Sequence, residues 1–121
     1  MSFTSWNDVP IEHNRPGVIH QRLFGNNVQV QKLTVEPGGE PVHLHNHPDT
    51  EQFFLIQEGE WEMTLGDEKK RVGPGDVVYI PPGVTHSPRL LNEDKPGWLY
   101  EIYQPIWSTK VAEERKKANT D

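Results

Sequence analysis

From residue 17 onward, short runs of apolar and β-branched residues alternate with clusters of Gly, Pro, Asn and Asp. GVIHQRLF ends at GNN, a turn signal that introduces VQVQKLTVE. In this second run Val28 and Val30 fall on one face and Gln29 and Gln31 on the other, with the phase blurring near Leu33. EPGGEP closes it. Then follow VHLHNH, EQFFLIQ, a turn at Glu58-Gly59, EWEMTL, a turn at Gly66-Asp67, KKRV, GPGD, VVYI, PPG and GWLYEIYQ. Strands recurring every 8–12 residues or so, punctuated in this way, predict an all-β sandwich or barrel. Only the end, STKVAEERKKANTD, has helix-forming composition, with Ser108 as its N-cap. The pattern predicts one all-β domain over residues 1–121, with a short C-terminal helical tail within 105–121.

Composition narrows the functional classes. At 121 residues, with 33% hydrophobic residues and a mean hydropathy of −0.76, the chain has apolar side chains for one modest core. A double-layered sheet uses them efficiently, because alternate positions can be solvated. The net charge of −6 argues against nucleic acid or an anionic membrane as partner. The densest basic cluster, Arg115-Lys116-Lys117, sits beside Glu113 and Glu114 in the tail. There is no cysteine, so disulfides, thiolate nucleophiles and zinc–thiolate clusters are excluded and any metal must be held by nitrogen and oxygen. The amino-terminal MSFTSWNDVP lacks the charged-then-apolar order of a secretory signal. Apolar runs fall far short of the ~20 residues that cross a bilayer. The expectation is a cytoplasmic protein whose partner is a small molecule.

Candidate chemistry lies in HLHNHPDTEQFF. If VHLHNH is extended, His43, His45 and His47 project from one face, about 7 Å apart per step. The bland alternative is a polar strand face meeting solvent. Glu51 and Gln52 follow, and because adjacent strand residues face opposite ways, only one of them can join the set. A second segment, GDVVYIPPGVTH, runs from an apolar strand through Pro81-Pro82-Gly83 to a lone His86. The prolines cannot donate to a ladder and end the strand, the glycine permits a tight turn, and His86 is delivered to one point at the barrel mouth. Imidazoles with one oxygen donor suit a single divalent ion (zinc, nickel, copper, iron or manganese), and spacing does not choose among them.

These residues resemble the cupin family. Its first motif, G-x5-H-x-H-x(3,4)-E-x6-G, is matched in spacing by Gly39, His45, His47, Gln52 and Gly59 (residues 39–59). Its second, G-x5-P-x-G-x2-H-x3-N, is matched by Gly75, Pro81, Gly83 and His86 (residues 75–90), with Leu90 in place of the terminal Asn. The resemblance implies a jelly-roll β-barrel of six to eight strands, with a metal held by His45, His47, Gln52 and His86. His43 then becomes a neighbouring donor or substrate contact. Glu51 stays an alternative to Gln52, should a bulge after Pro48 turn it inward. The resemblance also implies a homodimer.

Two groups of cupin enzymes share further features. The first motif with its Gln, and the segment EGEWEMTLGDEKKRVGPGDVVYIPPGVTH, are similar to the small cupins of pectin and alginate catabolism that linearise cyclic unsaturated uronates. Such a lyase or isomerase needs a Lewis acid and a proton shuttle. EQFFLIQEG and HSPR are similar to segments of 3-hydroxyanthranilate dioxygenase and related ring-cleaving cupins, which would make the chain an oxygenase on a small aromatic or enol substrate. Glu101 falls where that group places a carboxylate, although that group's basic residue before the metal-binding histidines is missing from Gly39, Glu40, Pro41 and Val42. Glu101 is the candidate base, with Tyr103 sharing its face, and Arg89 and Phe54 are candidate pocket residues. A third reading is a small-molecule-binding barrel without catalysis. His13 and His20 lie outside both motifs and have no assigned role, and the four tryptophans are expected to pack the barrel or an interface.

Overall fold

The computed structural model describes residues 3–38 and 42–106, and within them the period-two runs become nine strands. They are β1 (Glu12–Arg15), β2 (Val18–Phe24), β3 (Gln29–Val35), β4 (Glu51–Glu58), β5 (Trp61–Leu65), β6 (Glu68–Val72), β7 (Val77–Ile80), β8 (His86–Leu90) and β9 (Gly97–Gln104). All pairings are antiparallel, in a six-stranded sheet ordered β1-β2-β3-β9-β4-β7 and a three-stranded sheet ordered β6-β5-β8. The architecture is all-β, as the punctuation predicts, and is the jelly-roll that the resemblance implies, with more strands than it implies. The short β1 reads EHNR and has no apolar alternation by which to recognise it. The helix expected at the tail, Ser108 included, and Gly39 of the first motif lie outside the described residues.

In β3 the alternation holds throughout: Gln29, Gln31, Leu33 and Val35 are buried while the residues between them are half-buried. The phase does not blur at Leu33. Instead the inner face changes from amide to aliphatic midway along the strand. Pairing carries this change across the sheet, since Gln31 lies opposite Glu101 and Leu33 opposite Leu99. The apolar residues Leu33, Val35, Phe54, Ile56 and Leu99 pack with Trp61, Met63 and Val72 of the small sheet. Each such side chain, fully buried, contributes about 1.5–3 kcal/mol of transfer free energy.

Two local features position the histidines. VHLHNH is not a strand: only His45 pairs, in a two-bond bridge with His86 (3.2 and 2.9 Å). The carbonyl of His47 is used by turns instead, accepting from the Gly83 and Thr50 amides, and Pro48 has no N–H to continue a ladder. Gly83 reaches that carbonyl with φ of +79°, a left-handed conformation that side chains resist. Outside the large sheet, a single turn of 3-10 helix, Trp6–Asp8, is tied down by Gln21, whose amide donates to the Trp6 and Val9 carbonyls.

Candidate metal centre and its cavity

The ligand-capable nitrogens of His45, His47 and His86 all lie within 4.8 Å of one another. Their rings meet at centroid distances of 4.4–5.5 Å. Backbone carbonyls set the tautomers: Nδ1 of His45 donates to the His43 carbonyl (2.6 Å) and Nδ1 of His86 to the Val84 carbonyl (2.9 Å). A carbonyl only accepts, so these Nδ1 atoms carry hydrogen and the neutral rings present Nε2 lone pairs. His86 is fully buried, and its Nε2 has no hydrogen-bond partner. Burial lowers the His47 pKa to about 4, helped by the neighbouring His45 and His86. Burial also lowers that of His86 to about 4, partly opposed by its hydrogen bond to Val84. Both rings are therefore neutral at pH 7, the form in which imidazole ligates metals.

Strand alternation in β4 separates the two remaining ligand candidates. Gln52 points inward, 1% exposed, between Ile80 of β7 and Tyr103 of β9. Neither its amide oxygen nor its amide nitrogen has a hydrogen-bond partner. Glu51 points outward and accepts a hydrogen bond from the Tyr79 hydroxyl at 3.0 Å. An orphaned buried amide costs about 1–3 kcal/mol unless something occupies it. Three clustered imidazoles, with this amide oxygen on the inner face next to Tyr103, are a donor set that fits a divalent ion.

Beside the histidines runs a buried polar chain. Gln29 donates to Gln31 (2.9 Å), and Gln31 in turn donates to the Glu101 carboxylate and to the Tyr103 hydroxyl (3.3 Å). The phenol of Tyr103 hydrogen-bonds Glu101 as well, and its ring meets His47 edge-on at 5.5 Å. Burial raises the Glu101 pKa to about 7, although both hydrogen bonds favour the anion. Burial and the adjacent Glu101 raise that of Tyr103 well above its ordinary value, so it stays a neutral donor.

His45, His47, Glu101, Tyr103 and Gln31 open on one cavity of about 620 Å³, whose other walls include residues of β1 and β2. Nothing in the residue pattern singles out Gln31, His20 or Arg22, because polar inward positions look like a solvated face. His43 is exposed at the rim and contributes its carbonyl to His45. Phe54 sits in the core with its ring 5.8 Å from that of His86. Arg89 is on the outer face of β8, 63% exposed, and pairs with Glu62 at 3.7 Å. It is three residues beyond His86, an odd offset that reverses its direction.

Comparison with known proteins places this geometry. A family model described as the cupin domain matches residues 31–103. An uncharacterized protein of Methanocaldococcus jannaschii is 35% identical over 70 residues, 58% of this chain and 56% of that protein. Quercetin 2,3-dioxygenase of Bacillus subtilis is 38% identical over 52 residues, 43% of this chain and 15% of the enzyme. The chain thus spans just over half the length of the first relative and a small part of the second. Among solved structures, KdgF from a Halomonas species aligns with a TM-score of 0.78 at 21% identity, covering 87% of this chain and 95% of that one. At that identity the likeness is one of fold.

Proposed function

The chain belongs to the cupin family, and from that premise we propose that it is a metal-dependent lyase or isomerase acting on a small oxygen-rich organic acid or sugar derivative. The observation that carries this reading is Glu101, a buried carboxyl group on the wall of the cavity that His45 and His47 also line. His45, His47 and His86, with Gln52, would hold a divalent ion, which would supply Lewis acidity at a substrate oxygen undiminished by a ligand carboxylate.

Proton movement falls to Glu101. With a pKa near 7 it can take a proton from a substrate carbon or hydroxyl and return it elsewhere on the same molecule, so that nothing is consumed. Gln31 fixes the carboxylate by hydrogen bonding, Gln29 fixes Gln31, and Tyr103 adds a further hydrogen bond to Glu101. The resemblance to uronate-linearising cupins supports a cyclic unsaturated uronate as first substrate to test. Incubation of the metal-reconstituted protein with that compound under nitrogen, followed by NMR, should show the ring form disappearing. Glu101→Gln should keep its metal and lose about 10²–10⁴-fold in turnover. Unchanged turnover in that variant would reject the role of Glu101.

The similarity to quercetin 2,3-dioxygenase favours a second reading, an oxygenase on a small aromatic or enol substrate. Conversion that requires and consumes dioxygen would replace the first reading with this one. Binding without conversion in either atmosphere would leave a small-molecule-binding barrel.

A further inference from the structure

We infer that the β1–β2 wall of the cavity is a carboxylate-binding site, with Arg22 as the residue that receives the acid group of the ligand. The inference deepens the reading above and rests on it for the metal-side chemistry. Arg22 lies on the inner face of β2, opposite Gln31, which is itself opposite Glu101. Its side chain is only 16% exposed, whereas those of Arg71 and Arg89, on the outside, are 69% and 63% exposed. A guanidinium held largely out of water in a cavity wall needs anionic partners.

One such partner is built in. The Nε and Nη2 groups of Arg22 donate to the two carboxylate oxygens of Glu12 on β1, a two-point pairing that fixes the guanidinium plane. Glu12 is thereby a positioning residue. The rest of the lining is less acidic than the chain as a whole. A chain of net charge −6 places Arg15, Arg22 and five of its six histidines (His13, His20, His43, His45 and His47) on this cavity. Among the described residues, the carboxylates of the lining are Glu12 and Glu101.

The sheet also provides a ruler. Arg22 and Glu101 are two strands apart in one cross-strand row, roughly 10 Å at the backbone. That separation, with side chains reaching into a cavity of about 620 Å³, suits a small acid whose carboxylate lies several bonds from its reacting centre. The acid group at Arg22 would leave the far end of the molecule toward Glu101 and the histidines.

Calorimetric titration of the metal-reconstituted protein with galacturonate and with galactose, which differ in a carboxylate, tests the assignment. Galacturonate should bind at least tenfold more tightly, and Arg22→Gln should lose at least tenfold of that affinity with metal content unchanged. Arg22→Lys should recover only part of it. The double variant Glu12→Gln/Arg22→Gln, which removes both members of the pair, should show the same loss, so that a change in stability of the single variant does not decide the result. Equal binding of the two sugars, no binding of galacturonate, or an affinity insensitive to Arg22 would overturn the site and leave the Glu12–Arg22 pair as a tie between strands. The two proposals fail separately. Arg22-dependent binding with turnover insensitive to Glu101 removes the catalytic reading alone. Glu101-dependent turnover with binding insensitive to Arg22 removes this site alone.

Discussion

The two ends of the large sheet's inner face obey the same alternation and carry opposite chemistry. At one end Leu33, Val35, Leu99 and Ile56 interlock with Trp61 and Met63 of the small sheet. At the other, the same strands present Gln29, Gln31, Glu101, Tyr103 and Gln52, all buried. Antiparallel register makes the boundary sharp, because β3 and β4 run from polar to apolar as β9 runs from apolar to polar. The apolar end supplies stability. The polar end retains groups that no folding argument would select, including the Gln29 amide oxygen and the Gln52 amide, both buried without a partner. A fold tolerates such positions where they serve a ligand.

The comparison is broken most severely from the apolar end. Leu99→Ala removes a fully buried side chain between Leu33 and Ile56 and should cost about 2–5 kcal/mol of unfolding free energy in denaturant melts. Metal content should not change. A cost under about 1 kcal/mol would mean that the apolar end is not the stabilising half.

Next in size is the pH dependence of the metal-free protein, where the polar end acts in two directions. His20, His47 and His86 are held at about 4, against an ordinary 6.5, mainly by burial. Between those values the unfolded chain binds more protons, so their contribution to stability grows as pH rises from 4 to 6.5. Glu101 is raised from 4.5 to about 7, so the folded state keeps a proton that the unfolded chain has released. Its contribution is full below pH 4.5 and is lost as pH rises to about 7. Relative to Glu101→Gln, the wild type should therefore lose about 3 kcal/mol across that window. Melts of both proteins at the two ends of the window measure it, and a constant difference would place Glu101 as an anion throughout.

The smallest effect sharpens the contrast. Gln52→Leu replaces an unsatisfied buried amide by a hydrocarbon and should stabilise the metal-free protein by about 1–3 kcal/mol while weakening metal binding. Glu51→Ala, on the outer face, should change neither. Destabilisation of the metal-free Gln52→Leu protein would show that the amide is already satisfied within the fold.

Much of the strand order was legible, because Gly and Pro punctuation bounds runs of clear period two. β1 was not, since Glu12, His13, Asn14 and Arg15 offer no alternation and are ordered by pairing with β2. The candidate ligands His45, His47 and His86 were readable from the resemblance to the cupin motifs, although a bridge and turns, rather than a strand, hold the first two. Hydrophobicity alone would put Val28 inside and Gln29 outside. The structure does the reverse: Gln29 is fully buried and Val28 is 38% exposed. His20 and Arg22 reach the cavity only because β2 lies beside β3 in the sheet.

By itself the sequence determined which residues share a face: period two groups Gln29 with Gln31 and Glu101 with Tyr103 wherever those strands lie. It also determined the metal-ligating types, since a chain without cysteine that clusters histidines has nitrogen and oxygen to offer. Tertiary structure alone decided which face turned inward and which strands became neighbours. Alternation has a phase but no sign, and the sign is ordinarily supplied by hydrophobicity, which stops being a guide where the interior is lined with amides, imidazoles and a carboxyl group to receive a ligand.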